Sequence, residues 1–439
     1  MKEIIKMNTA KNKVYISGMS TVSSIGMNLE DTWNALLKGE TGIRPVSHWQ
    51  EKVEKVFIGA ELKDYQPRRM VPDPKWLKLI SRQDVIGLCA ASQAIEQSGC
   101  ITYRDSLTDE KDREAFNDGT GVYVGSAGNK FFQQYDCIPL FAKSEGKTTA
   151  FAEHLFETVH PMWLLKILPN NVLAYTGIQY GFKGPNQNIA NHAASGLQAI
   201  IEAYWAIALG QAERAVVVAY DAAAEPQSAM YYEQLGTIST SGSIKPFDQN
   251  RDGTILGEGA AALVLESEAA VSARGAKCYG EILGGKSSAE AFGVFGLDKT
   301  SKPLIDLMES ALEHTHLSPA DIGLITAHGN GNIQSDATEA HALSQVFGQH
   351  QTPVTSFKWS LGHTLCASAV LDTALTAYAL KEKQAPGIAV LETLADDCQG
   401  VSVSAETRPI SSPIGMVLSR GFGGIDSCLL LKSCEPLAT

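Results

Sequence analysis

The chain has 439 residues, 44% of them hydrophobic and 19% charged, with a formal net charge of -12. That length suits two domains or one large duplicated α/β unit with a sizeable core, and the balance excludes extended disorder. The negative charge argues against general nucleic-acid binding, because phosphate contacts need a concentrated cationic face.

The first predicted unit is a β-rich run, VYISGMSTVSSIG from Val14 to Gly26, followed by the helical pattern MNLEDTWNALLKG that stops at Gly39. PRRMVPDPKWLKLISRQ from Pro67 to Gln83 then concentrates Arg68, Arg69, Lys75, Lys78 and Arg82 in an otherwise acidic chain. A solvated helix face explains it, and an acidic docking partner is the sharper alternative. GVYVGSAG from Gly121 and RAVVVAYDAAA from Arg214 read as strands buried on both faces. Between them, GPNQNIANHAASGLQAI runs a short strand into a helix whose continuation, IEAYWAIALGQA, is apolar nearly all round, as a helix buried between layers is.

After a charged, Ala-rich crossover near 265–277 the pattern begins again. It gives CYGEILGGKSS, a helix over 302–315, and then Ser318, Pro319 and Asp321 opening a short helix that feeds the strand Ile322 to Ala327. The helix CASAVLDTALTAYALKE and the strands GMVLS and SCLLLK close the chain. The expected organisation is two α/β halves, residues 1–265 and 266–439, packed as one unit.

The eight cysteines, Cys89, Cys100, Cys137, Cys278, Cys366, Cys398, Cys428 and Cys434, show no CxxC pair and no Cys/His cluster at metal spacing. They read as reduced, mostly buried thiols of a cytoplasmic protein, and no metal site is expected. MKEIIKMNTAKNK lacks the apolar core of a secretory signal, and no run of about 18 apolar residues predicts a membrane span.

His328 in AHGNGN follows a predicted buried strand, the end of an α/β sheet where ligands bind. His363 in FKWSLGHTLCASA stands at a Gly-containing start of an apolar helix, five residues after Lys358. With Asp336 and Glu339 nearby, these groups could bind an oxyanion and polarise a carbonyl if the fold gathers them. GFGG, Gly421 to Gly424, reads as a tight turn. The order Asp248, Asn250, Asp252 does not complete a calcium loop, because Glu258 misses the closing position; a turn around Arg251, held by Asp248 or Asp252, is expected.

Together these stretches resemble the β-ketoacyl-acyl carrier protein synthases, condensing enzymes of fatty-acid and polyketide synthesis. The likeness runs from VYISGMSTVSSIG through NIANHAASG and KPFDQNRDGTILGEGAAALVLES to AHGNGNIQSDATEA, SFKWSLGHTLCASA and GFGG. It implies a thiolase-type fold, two βαβαβ halves in five αβαβα layers, usually dimeric. By motif, His328 and His363 match the family's His pair, which assists malonyl decarboxylation and stabilises the enolate. Lys358 matches the family Lys and Glu339 the acid that pairs with it. Phe422 matches the aromatic gate, flanked by Gly421 and Gly423. Arg68, Arg69, Lys75 and Lys78 lie where acyl carrier protein docks, and the resemblance implies no cofactor beyond that protein's phosphopantetheine.

Three departures stand out. The nucleophile position is Ala193, and a methyl group forms no thioester. Asn330 and Asn332 replace hydroxyls that would meet the pantetheine arm, and Arg420 and Ile425-Asp426 replace the usual Phe and Thr-Asn. By motif Cys366 offers no replacement thiol and reads as a buried core residue. Three readings follow. Retention of the His pair, Lys358 and Glu339 favours a condensing enzyme of fatty-acid or polyketide synthesis inactivated by exchange of its Cys. The other departures favour a naturally non-acylating partner in a ketosynthase heterodimer, like a chain-length factor. The intact His pair also permits a malonyl decarboxylase.

Overall fold

The structure is a computed structural model and describes residues 12–48, 56–128, 134–159 and 161–434. Among the described residues a ten-stranded sheet takes five strands from the first half: β1 (Val14–Ser23), β2 (Thr120–Gly125), β3 (Asn186–Ile189), β4 (Arg214–Ala222) and β5 (Glu258–Ser267). It takes five from the second: β6 (Gly280–Ala289), β7 (Ile322–Thr326), β8 (Val354–Thr355), β9 (Ile414–Gly421) and β10 (Ile425–Lys432). Their spatial orders, β3-β2-β4-β5-β1 and β8-β7-β9-β10-β6, are the same arrangement twice. In each, the first two joins are parallel and the last two antiparallel. The replay expected from the sequence is therefore a duplicated topology, joined into one sheet where β1 meets β6 antiparallel at Val14↔Ile282, Tyr15↔Glu281 and Ile16↔Gly280.

Five helices set the layers: α1 (Arg82–Ser98), α2 (Ser195–Ala208), α3 (Lys302–Thr315), α4 (Ile333–Phe347) and α5 (Ser368–Glu382). α1 covers the outer face of β1, β4 and β5, and α3 covers β6 and β10. Between the two sheet halves lie α2 and α5, each touching strands of both and touching each other. This is the αβαβα sandwich. α2 can occupy the middle because eleven of its residues, Ser195 to Ala208, are buried and few are polar. β4 and β5 are buried along their whole length, which accounts for their unbroken apolar runs. Among the described residues no helix is long and apolar enough to cross a membrane.

The charged crossover at 265–277 is the end of β5 and a helix, Glu268–Arg274. Two expectations need correction. Arg251 is held by the Asp397 carboxylate at 2.6 and 2.7 Å and the Asp248 backbone carbonyl, while Asp252 binds Ser239, Thr240 and Ser241. Nor are all eight cysteines free: Cys278 and Cys434, 156 residues apart, pair as a disulfide with Cα atoms 6.0 Å apart. Among the described side chains, which do not include Cys137, buried free thiols stand at Cys89, Cys100, Cys366, Cys398 and Cys428.

Candidate active site

The chain leaves β3 at Ile189, turns through a short 3-10 segment, His192–Ala194, and enters α2 at Ser195. Ser195 Oγ fixes this turn, accepting from the Asn191 amide and donating to the His192 carbonyl, both at 2.7 Å. The second half repeats the device with Leu365–Ala367 leading into α5 at Ser368. His192 and Leu365 both take left-handed backbone, φ +53° and +44°. Ala193 and Cys366 thus hold equivalent places in the two halves. Cys366 lies in the turn before the helix rather than on it, buried, with its sulfur 3.8 Å from Ser195 Oγ. The small residues of NHAASG are needed here: a Cβ on Gly196 would stand 2.8 Å from the Cys366 carbonyl oxygen.

His328 and His363 come together as expected, with ring centroids 5.3 Å apart at 76° and both rings buried. The Arg420 amide donates to His328 Nδ1, and the Leu365 amide donates to His363 Nδ1, both at 3.3 Å. Accepting at Nδ1 puts the proton of the neutral His363 ring on Nε2. His328 meets a donor at each nitrogen, the Arg420 amide at Nδ1 and the Asn330 side-chain amide 3.2 Å from Nε2. Burial, and after it the Lys358 ammonium, holds both imidazoles well below their ordinary range. The site therefore presents two uncharged imidazoles lining one cavity, and the His363 Nε2–H suits a carbonyl oxygen that gains negative charge. In a ¹⁵N-histidine spectrum, both rings should keep a neutral signature from about pH 8 to about pH 5.5, where a free imidazole would protonate.

The acids behave differently from the expectation. Lys358 Nζ meets Asp372 at 3.0 Å, one turn into α5, with both groups buried. Glu339, assigned to that pairing, instead accepts the His328 and Gly329 amides at 2.7 and 2.8 Å. Asp336 likewise accepts from the amides of Phe247, Asn330 and Gly331, and burial pushes its carboxyl up to about 7. Both carboxyl groups thus hold the 328–331 loop in shape from α4. Burial raises the Asp372 carboxyl above its ordinary value, with the adjacent ammonium opposing it.

The hairpin between β9 and β10 closes the site. Ser419 Oγ donates to the Ala193 carbonyl at 2.7 Å, the Arg420 amide reaches His328, and the Phe422 amide donates to His192 Nδ1 at 3.3 Å. Phe422, Gly421, Asn330 and Asn332 line the cavity with the His pair. Gly423 turns the hairpin at φ +86° and donates its amide to the Val294 carbonyl. Asn332 also caps α4, its side chain accepting from the Ser335 amide. The substituted Arg420 is buried between Glu290 at 2.7 Å and Asp426 at 3.2 Å, so the departures at 420 and 426 compensate each other. Arg68, Arg69, Lys75 and Lys78 are exposed on two short turns, whereas Arg82 is half-buried in a two-point pair with Glu258.

Sequence reasoning missed His192, Asp372 and the Arg420–Glu290–Asp426 group. Asp372 carried a signal, a lone acid within the apolar run CASAVLDTALTAYALKE, because a buried carboxylate requires a cation. His192 carried none beyond its place beside Ala193, since its partners Tyr232 and Phe422 are remote in sequence.

The sequence profile described as "Beta-ketoacyl synthase, N-terminal domain" matches residues 11–270, and that of the C-terminal domain matches residues 279–392. The 3-oxoacyl-[acyl-carrier-protein] synthase 2 of Synechocystis sp. is 28% identical over 437 residues, covering 98% of this chain and all of its own length. Among solved structures, the ishigamide ketosynthase/chain length factor superposes with a TM-score of 0.84 at 23% identity, over 97% of this chain and 100% of that one. A type II polyketide ketosynthase, solved bound to a hexaketide and in complex with its acyl-carrier protein, gives a TM-score of 0.80 at 21% identity with the same coverage.

Proposed function

The chain belongs to the β-ketoacyl synthase family, and we propose that it serves there as a non-acylating subunit. In this reading it pairs with a thiol-bearing ketosynthase in a type II fatty-acid or polyketide pathway and receives substrates on acyl carrier protein, with no cofactor of its own. One observation carries this: at the helix start where the acyl chain would be attached stands Ala193, and the adjacent His192 ring occupies the Phe422 amide. The position is thus both without a nucleophile and filled by a fitted neighbour. That fit, with the compensated Arg420–Asp426 pair, favours a natural subunit over an enzyme disabled by one exchange.

A pairing surface is available beside the site. β8, the outer strand of the second half, is buried under the loop that carries Ser402. Its counterpart β3 leaves Asn186 and Gln187 exposed and pairs only with β2 among the described strands. On the same strand, Asn188 Oδ1 is buried without a hydrogen-bond partner. An open edge of this kind invites a second strand. Arg68, Arg69, Lys75 and Lys78 supply cations for an acidic carrier protein.

The neutral His pair supports a second activity, loss of carbon dioxide from a malonyl thioester. The Cα–carboxylate bond breaks, its electron pair enters the enolate held beside the two neutral imidazoles, with His363 Nε2–H donating, and Cα takes a proton from water.

The test combines the chain with a thiol-bearing ketosynthase of the same organism, acyl and malonyl carrier proteins. The expected result is a 1:1 complex that condenses, while the chain alone does not. Condensation by the chain alone would contradict the subunit reading.

A further inference from the structure

His192 does more than stand beside a missing thiol. Its ring lies flat against Phe422, with centroids 4.4 Å apart and planes 17° apart, and its Nδ1 accepts the Phe422 amide at 3.3 Å. Its Nε2 is 2.5 Å from the Tyr232 hydroxyl, and Tyr232 in turn stacks on Phe422 at 5.4 Å. Phe295 meets the Phe422 ring edge-on at 5.3 Å. Three aromatic rings and one hydrogen bond thus converge on Phe422 of the Gly421–Gly424 turn, and a second hydrogen bond ties His192 to Tyr232. Beneath them Ala193 is fully buried, and it is not among the described residues lining the cavity. Left-handed backbone at a non-glycine residue is costly, and it is the conformation His192 adopts here.

We propose that His192 is a positioning residue that latches the Gly421–Gly424 turn shut over the start of α2, closing the acyl side of the pocket while leaving the His328–His363 side open. The arrangement has a chemical consequence for the turn. A backbone N–H at this place could donate to a thioester carbonyl, and the imidazole takes it up. It also has a steric one, because Phe422 cannot swing away without breaking its stack with His192 and Tyr232. Restoring a thiol at 193 would then be insufficient for acylation, since the position stays covered. The latch gives the non-acylating reading its physical form, yet it can be tested without carrier protein or partner.

The experiment follows alkylation of residue 193 by iodoacetamide, read peptide by peptide, in Ala193→Cys and in the double variant His192→Ala/Ala193→Cys. Removing an imidazole beside a thiol lowers its thiolate fraction and should slow the reaction. The latch predicts the opposite sign, with the double variant reacting about tenfold faster, as expected when a hydrogen bond and a stack are lost. Hydrogen exchange at the Phe422 amide should accelerate in His192→Ala and in His192→Phe, which keeps a ring but has no acceptor. Equal reactivity of Cys at 193 with and without His192 would overturn the proposal. So would an acceleration shared by the buried Cys398 and Cys428, which would signal general loosening. The subunit reading fails separately, only if the chain alone condenses.

Discussion

Lys358→Met should cost about 3–5 kcal/mol of stability, the penalty for leaving one member of a buried ion pair without its partner. Lys358 and Asp372 are 2% and 3% exposed at their side chains and 3.0 Å apart, so solvent screens the pair little. Methionine fills the volume of the lysine stem but leaves the Asp372 carboxyl surrounded by apolar α5 neighbours. Asp372 must then either remain charged at high cost or take up a proton. The double variant Lys358→Met/Asp372→Leu should recover most of the loss, because two apolar groups of similar size avoid the desolvation penalty. Denaturant unfolding of the three proteins checks this. A single-variant loss below about 1 kcal/mol would mean that the pair is exposed in solution.

The second large effect falls on chemistry. The purified chain is expected to release carbon dioxide from malonyl carrier protein, and His328→Ala or His363→Ala should each lower that rate about 10²–10³-fold, the usual cost of removing one donor to a developing oxyanion. Asn at either position keeps an N–H donor and should retain more activity than Ala. The pH profile should show no limb near the ordinary imidazole value, because burial keeps both rings neutral well below it. A rate unchanged in both Ala variants would remove the His pair from any catalytic role.

Much of this molecule is legible in its residues because local physics and the fold agree. The Val-rich runs at Gly121 and Arg214 are strands for the reason the sequence suggests, burial on both faces. Ser318 caps the short helix it was expected to open, and there it closes a capping box with Asp321. His328 and His363 meet because each follows a strand or turn at the same end of the duplicated sheet. What escaped was pairing across long sequence gaps. By motif Lys358 was expected to pair with Glu339, and only the geometry of α5 and the 328–331 loop gives it Asp372 instead. Arg420 departs from the family pattern for a reason that lies 130 residues away, the Glu290 carboxylate against its guanidinium. The Cys278–Cys434 pair joins segments 156 residues apart, which no spacing rule could supply. His192 belongs to the same class, since its role depends on Tyr232 and Phe422.

On the proposed function this chain takes no acyl group. Intact-mass measurement after incubation with a hexanoyl-loaded acyl carrier protein tests it most directly. The predicted result is an unchanged protein mass, with the buried Cys366 unmodified in its peptide. A gain of one acyl group on any residue, Cys366 above all, would contradict it.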